Sequence, residues 1–298
     1  MLIVLEGVDG AGKTTLTDRL LKHLPYETTR RLHSGPLGQD PFREYEWRLK
    51  GYRPFSEENI IADRWHVGEL VYGPLYRGHS RLTAAGARHV EMYLDKLGAH
   101  KVVVTASIDD ITNRLKTRGD DFVKMEHVGL IWDFYNEYAH REGWSFVGSD
   151  EIVSYMINAA RRKREEARRL WKFKTYVGGS HPKILFVGDQ HGAPQYGRPN
   201  YDSAFVPYAD TPGFFLLETL EERRIRDYGV ANAVEEDTYD LWRALGRPHV
   251  IALGLSAYEA LDKQVPVQVV DHPSDVRYAR TRRAYGHEIE AAIHASRS

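Results

Sequence analysis

The run Gly7-Val8-Asp9-Gly10-Ala11-Gly12-Lys13-Thr14-Thr15 contains the residue types that handle phosphate: two glycines with four residues between them, then a lysine and a threonine. A loop of this kind turns backbone N–H groups inward on a polyphosphate. Gly7, Gly10, Ala11, Gly12 and Thr15 would line that cradle as ATP-binding residues. Lys13 would neutralise the β and γ phosphates of ATP, and the Thr14 hydroxyl would be a ligand for Mg²⁺. A plainer reading makes the same glycines only a tight connection from strand to helix. The flanks favour the phosphate reading, because an apolar strand, Leu2–Glu6, precedes the loop and an amphipathic stretch, Gly12–Leu24, follows it.

Other groups with chemistry in them are spread along the chain. Ile60-Ile61-Ala62-Asp63-Arg64-Trp65 is an apolar strand ending in an acid and a base, and an arginine at the C-terminal edge of an α/β sheet suits a second phosphate. A surface ion pair is the simpler alternative. Asn113-Arg114-Leu115-Lys116-Thr117-Arg118-Gly119-Asp120 offers two arginines, either to a transferring phosphoryl group or merely to solvent at a helix end. Arg161-Arg162-Lys163-Arg164, continued by Arg168, Arg169, Lys172 and Lys174, would contact a DNA backbone, with Trp171, Phe173 and Tyr176 as stacking surfaces. The competing reading is a solvated helix face balanced locally by Glu165 and Glu166.

Positioning these groups requires an α/β framework. In the first half, strands are predicted at 2–6, 28–33, 59–63, 101–107 and 144–149. Helices are predicted at 12–24, 41–50, 83–97, 109–117 and 126–141, with a last one capped by Ser149 or Asp150 and ending near Trp171. Gly178-Gly179-Ser180-His181-Pro182 reads as a boundary. Beyond it come strands at 184–187, 228–234, 250–254 and 265–270, and helices at 213–226, 238–245, 256–261 and after Ser274.

Length and composition limit the remaining choices. At 298 residues, with 42% hydrophobic and 28% charged residues, the chain has material for two packed domains. The absence of cysteine excludes disulfides, thiolate zinc sites, iron–sulfur clusters and cysteine nucleophiles. The net charge of -1 is uneven: residues 1–160 hold 20 basic against 23 acidic groups, 161–182 hold 8 against 2, and 183–298 hold 13 against 17. That pattern excludes a wholly basic nucleic-acid binder and leaves one local strip. No apolar run is long enough to span a membrane, and Met1 leads directly into a strand, so a soluble cytoplasmic protein with no membrane partner is expected.

Residues Leu5 to Thr15, together with Asp63-Arg64, resemble thymidylate kinases and related deoxynucleoside monophosphate kinases across roughly the first 160 residues. The resemblance implies a P-loop NTPase parallel sheet flanked by helices over 1–160, ATP and Mg²⁺ as cofactors, a nucleotide substrate and a homodimer. It implies that Arg64 grips the acceptor's 5′-phosphate, Asp63 helps to hold the magnesium shell, Asp9 meets the sugar 3′-hydroxyl, and Arg114 and Arg118 belong to a lid. The sequence departs from that family at His33-Ser34-Gly35-Pro36 and at His66.

After a basic helix and linker at 161–182, residues 183–298 resemble the uracil-DNA glycosylase superfamily more loosely. The matching pieces are Ile184 to Gly192, Ala204-Phe205, Tyr228 to Ala233, Val250 to Gly254 and Asp271-His272-Pro273-Ser274. They imply a second, smaller α/β domain in which Asp189 positions water, Phe205 stacks on a flipped base, Asn232 reads its edge and His272 stabilises the departing base. His191 stands where proline is common in that superfamily, so a domain that binds a pyrimidine without cleaving it is also consistent. Capping and core roles for these residues remain the plain alternative.

Three functions are therefore expected in competition. The first is ATP- and Mg²⁺-dependent phosphoryl transfer to a thymidylate-like deoxynucleoside monophosphate, aided by a pyrimidine- or DNA-recognising domain. The second is a kinase of a hydroxymethylated pyrimidine within DNA, as in viral hypermodification. The third is a glycosylase or base sensor with a regulatory P-loop.

Overall fold

A computed structural model describes residues 1–33, 41–119, 122–189, 211–234, 237–276 and 281–295. His191 and Phe205, with Ser34, Gly35, Pro36 and Asp120, lie outside the described residues. The described chain divides into two compact units, residues 1–83 with 97–165, and residues 84–96 with 166–298.

In chain order the first part comprises β1 (Leu2–Glu6), α1 (Lys13–Lys22), β2 (Thr29–His33), α2 (Pro41–Arg48), β3 (Asn59–Asp63), α3 (His66–Arg77), α4 (Ala84–Lys96), β4 (Ala99–Val104), α5 (Ile108–Arg118), α6 (Val128–Glu142), β5 (Ser145–Val147) and α7 (Val153–Leu170). The first unit is built on a five-stranded sheet of order β2-β3-β1-β4-β5, with every neighbouring pair parallel. β1 and β3 are buried along their whole length, which is why both read as continuous apolar runs. The chain leaves β1 toward one edge and returns to pair with it from the other side through β4. The loop after β1 therefore sits at the switch point, where open α/β sheets bind ligands.

His100 on β4 is buried, and that burial, with Lys163 and Arg162 next, lowers its pKa to about 4. The unfolded chain takes up a proton near pH 6.5 that the folded chain refuses until about pH 4. Stability is thus full above that range and falls by about 3 kcal/mol as the pH drops through it. Chemical denaturation of His100→Gln at pH 7 and pH 4.5 is expected to show a smaller acid loss than the parent chain. Equal losses in the two proteins overturn this assignment.

The second unit follows with β6 (Ile184–Gly188), α8 (Pro212–Glu222), β7 (Tyr228–Asn232), α9 (Thr238–Ala244), β8 (His249–Leu253), α10 (Leu255–Ala260), β9 (Val267–Val270), α11 (Pro273–Val276) and α12 (Arg282–Ala295). Its sheet has the order β7-β6-β8-β9 and is parallel throughout. One face of its core gathers Phe186, Leu216, Tyr228, Tyr285 and Ile289.

Helix α4 belongs to this second unit although it lies between elements of the first. Its Ala85 and Met92 join that same core, the Ala85 N–H donates to Glu218 (3.0 Å), and the Arg88 guanidinium lies 4.8 Å from the centre of the Tyr228 ring. The sequence reading placed 83–97 in the first domain, since nothing in an amphipathic stretch says which apolar surface it will cover.

Other differences are local. Helix α3, which holds Gly68, Gly73 and Pro74 within it, is not among the helices predicted from sequence. Helix α7 starts at Val153, so neither Ser149 nor Asp150 caps it. Phe173 (3% exposed) and Tyr176 (1%) are core residues of the second unit, not stacking surfaces. They belong to its second apolar cluster, with Leu185, Ala231 and Leu241. Among the described residues, no helix is long and apolar enough to cross a membrane.

Candidate active site

Three glycines of the loop after β1 have left-handed φ values: Gly7 (+135°), Gly10 (+87°) and Gly12 (+104°). At Gly7 the constraint is also steric, since a Cβ there would lie 2.3 Å from the Val104 carbonyl oxygen. The loop therefore lies flat against β4 and delivers the chain to α1, whose start at Gly12 has no side-chain cap. The first amides of an uncapped helix need acceptors, and phosphate oxygens supply them.

Lys13 is buried, and its ammonium folds back over the loop. It donates to the carbonyls of Gly7 (2.6 Å) and Val8 (2.9 Å) and lies 3.5 Å from Asp9 Oδ1. Desolvation lowers its pKa, and the Asp9 carboxylate opposes that shift. The same Asp9 oxygen accepts from Arg64 Nη2 at 2.5 Å. Since both cations touch one oxygen, at 3.5 and 2.5 Å, they are no more than 6.0 Å apart. Arg64 is a non-glycine residue at φ +69°, a conformation that costs roughly 1–2 kcal/mol. Its N–H is tied to the Leu5 carbonyl of β1 (2.9 Å). Tyr72 closes this side of the site, accepting from the Asp9 N–H (3.4 Å), and burial raises its pKa.

Asp63 is also buried at the end of β3, where register puts it opposite Leu5 of β1 and His33 of β2. Arg31 donates to it at 2.6 Å, and His33 lies 3.5 Å away. Arg31 was not singled out from sequence; its alternation on β2 gives no sign of its partner. Arg114 reaches the loop, donating from Nη1 to the Gly10 carbonyl (3.0 Å). Arg118 does not: it is exposed near the C-terminal end of α5. Thr14 and Thr15 are exposed at the start of α1. A hydroxyl and a carboxylate, Thr14 and Asp63, are hard oxygen donors of the kind Mg²⁺ takes alongside phosphate oxygens and water.

The sequence also failed to mark Glu6. It is fully buried, and its Oε1 accepts from the amides of Trp65, Val67 and Gly68. The only available signal was an acid on an otherwise apolar strand. Desolvation raises its pKa, while His66 and the Gly68 and Trp65 amides oppose that rise.

In the second unit, a cavity of about 560 Å³ opens at the C-terminal ends of β6, β8 and β9, again at the strand-order switch point. Asp189, Ser256, Asp271, His272, Ser274, Asp275 and Glu288 supply its polar lining. The structure thus brings Asp189 and His272 into one cavity. His272 Nδ1 accepts from the Ser274 N–H (3.2 Å) and contacts the Ser274 hydroxyl (2.5 Å), so in the neutral ring the proton sits on Nε2. Burial lowers the His272 pKa, against the opposing charges of Asp189 and Asp275. Gly254, at φ +93°, permits this approach, since a Cβ there would lie 3.0 Å from His272 Cβ. Asn232 ends β7 opposite Gly188 and is not among the described residues lining the cavity; its Nδ2 is buried without a hydrogen-bond partner.

No family model matches the chain. Over 170 residues it is 30% identical to the SPbeta prophage-derived uncharacterized protein YorR of Bacillus subtilis (strain 168), a match covering 52% of this chain and 96% of YorR. A crystal structure of Bacillus subtilis YorR in complex with phosphorylated GDP is 24% identical, with a TM-score of 0.45, covering 55% of this chain and 98% of that one. Deoxyadenosine kinase from M. mycoides, with dCMP and dCDP, is 18% identical, with a TM-score of 0.32, covering 55% of this chain and 98% of that one.

Proposed function

The chain belongs, through its N-terminal region, to the family of the prophage protein YorR, and from the geometry of that region we propose that it transfers the γ-phosphoryl group of ATP to a thymidylate-like deoxynucleoside monophosphate. The observation that carries this reading is the pair of cations, Lys13 and Arg64, on a single Asp9 oxygen at the switch point of the first sheet. A phosphoryl transfer needs a donor phosphate and an acceptor phosphate held close and in line, with their charge neutralised. Lys13 and the uncapped start of α1 suit the donor, and Arg64 suits the acceptor. Arg114, already on the loop, is placed to neutralise charge between them. Thr14 and Asp63 would hold Mg²⁺, which when bound screens the donor's phosphate charge. As substrates arrive, Lys13 and Arg64 exchange Asp9 for phosphate oxygens, and the freed carboxylate becomes an acceptor for the sugar 3′-hydroxyl.

The second unit, in this reading, recognises a pyrimidine base. His272 offers a neutral Nε2–H donor, and Asp189 offers an acceptor beside it. Asn232, whose Nδ2 is buried without a hydrogen-bond partner, would read a base edge, with His191 and Phe205 as further candidate base-binding residues. Arg161, Arg162 and Lys163 are exposed on α7 and would contact a DNA backbone. That surface favours, as a second reading, a hydroxymethylated pyrimidine within DNA as the phosphoryl acceptor.

Labelled ATP and magnesium, incubated with a panel of deoxynucleoside monophosphates and with a hydroxymethylpyrimidine duplex, separate these readings. Label in a free diphosphate is the expected result. Label only in DNA transfers the proposal to the second reading, and label in neither rejects both.

A further inference from the structure

Helix α3 begins in an unusual way. Trp65 stands at its N-cap and supplies no side-chain cap, although the first amides of a helix need acceptors. The acceptor comes instead from β1. Glu6 Oε1 takes the N–H groups of Trp65 (2.8 Å), Val67 (2.9 Å) and Gly68 (3.2 Å), and Glu6 Oε2 takes the Tyr135 hydroxyl (3.2 Å). A fully buried carboxylate persists only where such donors surround it.

Arg64 lies immediately before these amides. Its own N–H is held by the Leu5 carbonyl (2.9 Å), the residue before Glu6. The end of β1 thus grips the chain on both sides of Arg64, which keeps a left-handed φ of +69° and directs its guanidinium to Asp9.

We infer that Glu6 is a positioning residue: by holding the first amides of α3 it fixes the turn that presents Arg64 to the acceptor phosphate. The inference rests on the reading of Arg64 as the acceptor's phosphate ligand. The Glu6 carboxylate accepts from the Trp65, Val67 and Gly68 amides at the start of α3 and from the Tyr135 hydroxyl, so its role is to hold the turn.

The test is a double-mutant cycle in the full chain, with thymidylate and ATP as probes and thermal unfolding measured in parallel. Glu6→Ala frees the turn, and a displacement on the order of 1 Å is expected to lower acceptor kcat/KM about a hundredfold while the KM for ATP stays put. Glu6→Gln keeps the length and an accepting oxygen and is expected to recover most of the loss. Glu6→Asp keeps the charge but withdraws it by one methylene, and it carries the same comparison if the alanine variant does not fold. In an Arg64→Ala background neither Glu6→Ala nor Glu6→Asp is expected to cost anything further.

A loss of equal size in that background shows that Glu6 acts elsewhere and overturns the inference. So does a parallel rise in the KM for ATP. If Arg64→Ala alone leaves the acceptor KM unchanged, the reading of Arg64 falls and takes this inference with it, an outcome distinct from an additive cycle.

Discussion

Lys13→Met is expected to lower phosphoryl transfer by about three orders of magnitude, because it removes the charge proposed to neutralise the donor phosphates from a buried site where little water screens it. The folded chain should tolerate the change. The methionine fills much the same volume, and the buried ammonium is held at the cost of desolvation, as the depression of its pKa records. Its hydrogen bonds to Gly7 and Val8 are lost, but both carbonyls lie in the loop after β1 rather than in the sheet. Thermal unfolding within a few degrees of the parent, with turnover of labelled ATP near background, is the expected pair of results. Unchanged turnover removes the glycine loop from the mechanism.

The second large effect is expected at Arg64. Arg64→Ala takes away the proposed charge partner of the acceptor and leaves Asp9 paired with Lys13, so the KM for a deoxynucleoside monophosphate should rise about a hundredfold or more. The KM for ATP should change little, since the donor cradle is made by other residues. Arg64→Lys should rescue poorly, because an ammonium lacks the planar fork that grips two phosphate oxygens. Steady-state kinetics with each substrate varied in turn checks this. Equal rises in both KM values place Arg64 in the donor site instead.

Much of the first site was legible because it is local in the chain. Gly7, Gly10, Gly12, Lys13 and Thr14 lie within eight residues, and the demand for left-handed backbone is written in the glycines themselves. Asp63-Arg64 was legible for a similar reason, as a charged pair ending an apolar strand. The partners of these residues were not. Arg31 meets Asp63 only through the register of β2 on β3, and Glu6 meets Trp65, Val67 and Gly68 only because β1 and β3 lie side by side. Arg114 and Arg118 share one helix and one residue type, yet only the first faces the loop.

By itself, the sequence determined the glycine-rich turn between β1 and α1, the two successive α/β patterns and the exclusion of cysteine chemistry, because each follows from residue type and short-range periodicity. Tertiary structure alone decided that α4 packs into the second unit, that Phe173 and Tyr176 are core, and that Asp189 and His272 share a cavity. Apolar burial has no direction: an amphipathic face states that it must be covered, and only the folded chain determines what covers it.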